Sequence, residues 1–165
     1  MPSFSRPVLS KLIQRMAEPR RFLQVLAGPR QTGKTTLARQ LMKACGDRSS
    51  YSTADTLAPE NTIWIEQQWE AARFHCQQAG SWLLVLDEIQ KISGWSGVIK
   101  RMWDEDSAQK LDLRVVLLGS SPLLVPQGLA ESLLYCRFKL PILVVEAGTK
   151  PENFHWKSVS YCRGS

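Results

Sequence analysis

Three groups of residues have the types and the spacing to do chemistry together. The first, Gly28-Pro29-Arg30-Gln31-Thr32-Gly33-Lys34-Thr35, reads G-x-x-x-x-G-K-[ST]; the apolar run Phe22 to Ala27 precedes it and an amphipathic stretch follows from Thr35. Glycines in such a turn let successive backbone N–H groups point inward. That concavity suits phosphate oxygens, and the following helix adds its positive end. Lys34 then supplies a point charge to the β and γ phosphates, and the Thr35 hydroxyl, with Thr36 behind it, a ligand for a Mg²⁺ that the phosphates also hold. The second group is Asp87-Glu88, at the end of the run Trp82 to Leu86. Adjacent side chains at a strand's end point different ways, so Asp87 is expected to hold the metal, through water, and Glu88 to take a proton from an attacking water. Ser120 or Ser121, after the run Leu113 to Leu118, is the third, suited to a hydrogen bond with the γ phosphate or the water. The same serines also read as an ordinary turn before Pro122.

The elements that must position these groups follow from periodicity. Leu9, Leu12, Ile13 and Met16 recur at helical spacing, and Leu37, Ala38, Leu41, Met42 and Cys45 line one face of a helix that Gly46 stops. A short strand is expected at Ser49 to Ser52. A covering helix carries the stripe Ile65, Trp69, Ala72, Cys76 and Ala79, with Glu66, Glu70 and Arg73 on other faces, and closes at Gly80. His75, beside that stripe, reads as a surface or packing residue because no second ligand type stands at i±4. Gly94-Trp95-Ser96 opens a helix with Trp95, Val98, Ile99, Met102 and Trp103 on one face, and Asp104-Glu105-Asp106 read as solvated. A helix start is expected over Leu129 to Phe138. Leu140 to Glu146 reads as a last strand, which Pro141 assigns to an edge. Strands that are nearly all apolar, alternate with helices and end in polar residues imply a mainly parallel sheet covered on both sides. Ligands of such a sheet gather at the carboxyl ends of its strands.

Composition sets the outer bounds. With 44% hydrophobic and 22% charged residues, the chain reads as a soluble globular domain, expected in the cytoplasm and without a membrane span or signal-peptide core. Cys45, Cys76, Cys136 and Cys162 form no C-x-x-C pair and read as buried or idle thiols. The net charge of +6 is uneven: residues 1–50 hold ten Lys or Arg against Glu18 and Asp47, while residues 51–112 hold ten acids against five bases. On charge alone the first third admits nucleic acid or an acidic partner, though no reading motif accompanies it. The chain has no N-K-x-D segment to read guanine, and paired carboxylates suit water activation better than transfer to a second substrate. The expected ligands are therefore ATP and Mg²⁺.

With Gly28 to Thr36, Leu83 to Ile92, Gly94-Trp95-Ser96 and Gly119-Ser120-Ser121 in view, the chain resembles a prokaryotic family of AAA-type ATPases. In that family Gly-Pro-Arg-Gln-x-Gly-Lys-Thr-Thr-Leu, Leu-Asp-Glu-Ile-Gln-Lys and Gly-Ser-Ser recur in this order. The resemblance implies an additional-strand P-loop NTPase fold, an α/β three-layer sandwich in which the Gly119 strand lies between the strands that carry Lys34's loop and Asp87. It also implies Ser120 or Ser121 as the sensor. Glu131-Ser132-Leu133-Leu134-Tyr135-Cys136-Arg137-Phe138 is similar to the family's Glu-Ser-Leu-Ala-Gly-Arg-Phe with one residue gained. By that match Arg137 is the arginine for the γ phosphate, in the same chain or a neighbouring one.

The expected organisation is an N-terminal amphipathic helix over 1–20, an ATPase domain over 21–147 and a divergent tail over 148–165. Family members typically carry a second, C-terminal domain, so the expectation here is a truncated or frame-shifted copy of the ATPase domain. Three functions follow: a Mg²⁺-dependent ATPase coupled to a partner protein or to further copies of itself, a nucleotide-binding module with little turnover, and a DNA-associated ATP-binding protein.

Overall fold

The computed structural model describes residues 7–21, 23–28, 30–120 and 143–147. Five strands, β1 (Leu23–Gly28), β2 (Ser49–Thr53), β3 (Trp82–Asp87), β4 (Leu113–Ser120) and β5 (Leu143–Ala147), form one sheet in the order β2-β3-β4-β1-β5. The first four are mutually parallel, and β5 runs antiparallel on the outer edge of β1. The Gly119 strand thus lies between β1 and β3, as the resemblance implies, and the last strand is an edge strand.

Alternation along the strands builds the layers. Leu23, Val25 and Ala27 of β1, Leu84 and Leu86 of β3, and Val115 and Leu117 of β4 face α3 (Thr62–Ala79) and α4 (Trp95–Ala108). Leu26, Leu83, Val85, Val116 and Leu118 face α1 (Pro7–Ala17) and α2 (Lys34–Cys45). Both faces of the sheet are therefore apolar, which is why β3 and β4 read as continuous hydrophobic runs. The chain leaves β1 along one face through α2 and returns along the other through α3 and α4. The carboxyl ends of β1 and β3 thereby flank a crevice.

Local signals set the helix ends. The Asn61 side chain accepts from the Trp64 N–H at 3.2 Å and caps α3. Gly80, at φ 80, ends it, with its N–H on the Cys76 carbonyl at 2.8 Å. His75 stacks on Trp82 with ring centroids 4.6 Å apart, the packing role expected of it.

The burial pattern departs from the sequence reading at three places. Ile13 is exposed, while Leu9, Leu12 and Met16 carry α1 into the cluster that holds Leu37 and Leu41 of α2. Arg73, expected on an outer face, is buried, and Asp106, expected in solvent, is fully buried. The two residues account for each other: Arg73 Nε donates to Asp106 Oδ1 at 2.5 Å and Trp69 Nε1 donates to Oδ2 at 2.7 Å. Arg20 joins from the segment before β1. It donates to the Leu113 carbonyl at 2.7 Å and the Ser107 hydroxyl at 2.8 Å, and its guanidinium lies 3.5 Å from the centre of the Trp103 ring. Burial works against the Arg73 charge, but Asp106, Glu105 and Glu70 outweigh it and hold its pKa above the ordinary value. This cluster ties α3 to α4 at the amino end of the strands. The expected helix start over Leu129 to Phe138, and Cys136 and Cys162, lie outside the described residues.

Candidate nucleotide site

At the opposite end of the sheet, the loop after β1 turns back on itself. Gln31 (φ 62) and Gly33 (φ 85) both adopt left-handed backbone on either side of Thr32. Gly33 is thus one of the left-handed residues of the loop and Gln31 another, while Gly28 ends β1. Gly33 is the N-cap of α2 and has no side chain to cap the helix's first-turn N–H groups. Lys34, the first residue of α2, is 8% exposed. Burial lowers the pKa of its ammonium below the ordinary lysine value, against the pull of Glu88 and Asp87.

β3 delivers Asp87 to the same place. The Thr35 hydroxyl donates to Asp87 Oδ2 at 3.1 Å, joining two residues 52 positions apart in the chain. The Tyr51 hydroxyl of β2 donates to the same oxygen at 2.6 Å, and the Glu88 N–H donates to Oδ1 at 2.8 Å. Glu88 itself has left-handed backbone (φ 54), which turns it out of the strand direction and starts the 3-10 turn Ile89–Lys91. Its Oε2 accepts from the buried Gln90 Nε2 at 2.5 Å. Lys91 donates to the Asp55 carbonyl at 3.1 Å and forms an ion pair with the Asp55 carboxylate.

Most of these groups, though neither Tyr51 nor Gln90, border one cavity of about 500 Å³. The loop residues Arg30, Gln31, Thr32 and Gly33 line it together with Lys34, Thr35 and Thr36, and Asp87 and Glu88 line the side that faces them. Asp55 and Lys91, which the sequence reading did not assign, complete the wall. Ser120 is buried at the end of β4, in register with Gly28 of β1, and is not among the lining residues. Pro29, Ser121 and Arg137 lie outside the described residues.

The oxygens of Thr35 and Asp87 suit a hard divalent cation, and both are within reach of each other. Among the described residues no three His, Cys, Asp or Glu side chains gather into a self-sufficient metal site. A cation here would take the rest of its shell from phosphate and water, as Mg²⁺ does.

A family model for an AAA domain matches residues 20–145, most of the chain. The chain belongs to the AAA domain family. Its fold is that of the P-loop NTPases, in the additional-strand order described above. Among solved structures it is similar to a DNA replication initiation factor. That match has 20% identity and a TM-score of 0.45, and covers 73% of this chain and 39% of the other. No curated protein matches it. Among the described residues no helix of this AAA domain is long and apolar enough to cross a membrane.

Tyr51, Gln90, Asp55 and Lys91 were missed by the reading from sequence. Gln90 and Lys91 stand inside the segment Leu-Asp-Glu-Ile-Gln-Lys, so the signal for them was present. A single 3-10 turn brings them beside Glu88. Tyr51 and Asp55 carry no local signal, because only the β2–β3 pairing sets them next to Asp87 and Lys91.

Proposed function

We propose that this AAA domain is a Mg²⁺-dependent ATPase that acts in the cytoplasm and couples hydrolysis to a change in a partner protein or in further copies of the chain. The observation that carries the reading is the contact between Thr35 and Asp87 at 3.1 Å, in the lining of the cavity that the Lys34 loop also borders. The loop N–H groups and Lys34 bind the phosphates, Arg30, Gln31 and Thr32 shape the entrance, and Thr36 flanks the phosphate side. Thr35 and Asp87 hold Mg²⁺, which when bound neutralises charge on the phosphates. Glu88, its carboxylate held by Gln90, orients a water and accepts its proton. Ser120 or Ser121 and Arg137 are assigned to the γ phosphate by the family resemblance, and 21–147 is the proposed extent of the ATPase domain.

The test is binding of Mg²⁺-ATP and release of phosphate by the purified chain, beside Lys34→Ala and Glu88→Gln. Binding should weaken by about 30-fold or more in Lys34→Ala. Glu88→Gln should bind normally and lose turnover by about 100-fold or more. Turnover in Glu88→Gln equal to wild type would remove Glu88 from the reaction. Binding without turnover in the wild type would leave a nucleotide-holding module.

A further inference from the structure

The site as read assigns Thr35 and Asp87 to the metal but leaves open what keeps the Asp87 carboxylate turned toward Thr35. Asp87 is the last residue of β3 and is buried. Its Oδ1 is fixed by the Glu88 N–H at 2.8 Å. Its Oδ2 receives two hydroxyls, the Thr35 donor at 3.1 Å and the Tyr51 donor at 2.6 Å. The second is the shorter, within the range of a charge-assisted O–H···O⁻ bond. Tyr51 stands on β2 in register with Val85, two residues before Asp87, so its phenol runs along the strand direction to reach the carboxylate. Its ring packs against the apolar cluster under α2, which fixes the hydroxyl in place.

We propose that Tyr51 is a positioning residue for the metal: its hydroxyl locks the Asp87 carboxylate beside the Thr35 hydroxyl, so that the two oxygens are presented to Mg²⁺ as a preformed pair. This rests on the reading of the cavity as a Mg²⁺-nucleotide site. Mg²⁺ demands near-octahedral geometry, so a carboxylate free to rotate is a poorer partner for it. Loss of a group that orients a metal ligand typically weakens metal affinity by about 10–100-fold.

The experiment is Tyr51→Phe, which keeps the ring and its packing and removes only the hydroxyl. Binding of a fluorescent ATP analogue is titrated in EDTA and then against rising Mg²⁺, and a thermal melt checks that the variant is folded. Wild type and Tyr51→Phe should bind alike in EDTA, and the variant should need roughly 10-fold more Mg²⁺ for half of the metal-dependent tightening. In an Asp87→Ala background, Tyr51→Phe should shift nothing further. An unchanged Mg²⁺ midpoint in a wild type that responds to Mg²⁺ overturns the inference alone, as does equal weakening in EDTA. A wild type that binds no Mg²⁺-nucleotide brings down the reading of the site, and the inference with it.

Discussion

Each end of the sheet buries cations beside carboxylates, and the space next to them separates the two. At the amino end, Arg73 and Arg20 meet Asp106, and the cavity beside Arg20 measures about 20 Å³, room for about one water. At the carboxyl end, Lys34 is buried near Asp87 and Glu88 and faces about 500 Å³. The first cluster answers its charges from within the chain: Asp106 takes donors from Trp69 and Arg73, and Arg20 spends its fork on Leu113, Ser107 and Trp103. Burial lowers the pKa of Arg20 in the first as it does that of Lys34 in the second, so what sets the second apart is that its cation lines a space an anion can enter. One arrangement fixes helices; the other prepares a site.

The sharpest way to break this contrast is to remove one charge from each end. Asp106→Ala leaves the buried Arg73 and the half-buried Arg20 without this carboxylate and Trp69 Nε1 without its acceptor. Stability should fall by about 3–5 kcal/mol in denaturant unfolding. A loss below about 1 kcal/mol would mean that the amino-end cluster is not structural. Lys34→Ala should do the reverse, with a smaller change in unfolding than Asp106→Ala, because burial already opposes that charge. Nucleotide binding should weaken by about 2–5 kcal/mol, read by calorimetry. A Lys34→Ala chain that unfolds as easily as Asp106→Ala would erase the distinction.

A smaller change sharpens the amino end alone. Arg20→Lys keeps the charge and loses the planar fork that reaches the Leu113 carbonyl, the Ser107 hydroxyl and the Trp103 ring together. The expected cost is about 1–3 kcal/mol of stability, with ATP affinity at the far end of the strands unchanged. An altered ATP affinity would show that the two ends are coupled.

The contrast also explains what could be read in advance. The carboxyl-end residues are compact in sequence: Gly28 to Thr36 is a single turn, and Asp87-Glu88 is a dipeptide closing an apolar run. Their types and spacing are dictated by phosphate and metal chemistry, and the strands and helices around them follow from periods of 2 and 3.6. The amino-end cluster draws Arg20, Trp69, Arg73 and Asp106 from separate elements, each polar residue unremarkable alone. Nothing local marks Asp106 as buried within the run Asp104-Glu105-Asp106; only the docking of α3 on α4 does. Tyr51 illustrates the same limit inside the site, since its partner is fixed by strand pairing rather than by neighbours in the chain.

The smallest expected effect is a pH dependence with opposite signs for folding and binding. Lys34 in the free chain has its pKa lowered from the ordinary 10.5, chiefly by burial. A group with a depressed folded-state pKa contributes its full stability above the unfolded value and loses it as pH falls through the folded value. The free chain should therefore gain stability as pH rises through the window between Lys34's lowered pKa and 10.5. Phosphate needs the charged ammonium, so a bound nucleotide raises that pKa again and binding takes up a proton in the same window. ATP affinity should drop about twofold at the pH that equals the lowered pKa and about tenfold one unit above it. Isothermal titration in two buffers of different ionisation enthalpy measures the proton taken up. Release of a proton, or an affinity that holds flat up to the ordinary lysine pKa, would show that Lys34 does not meet the phosphate.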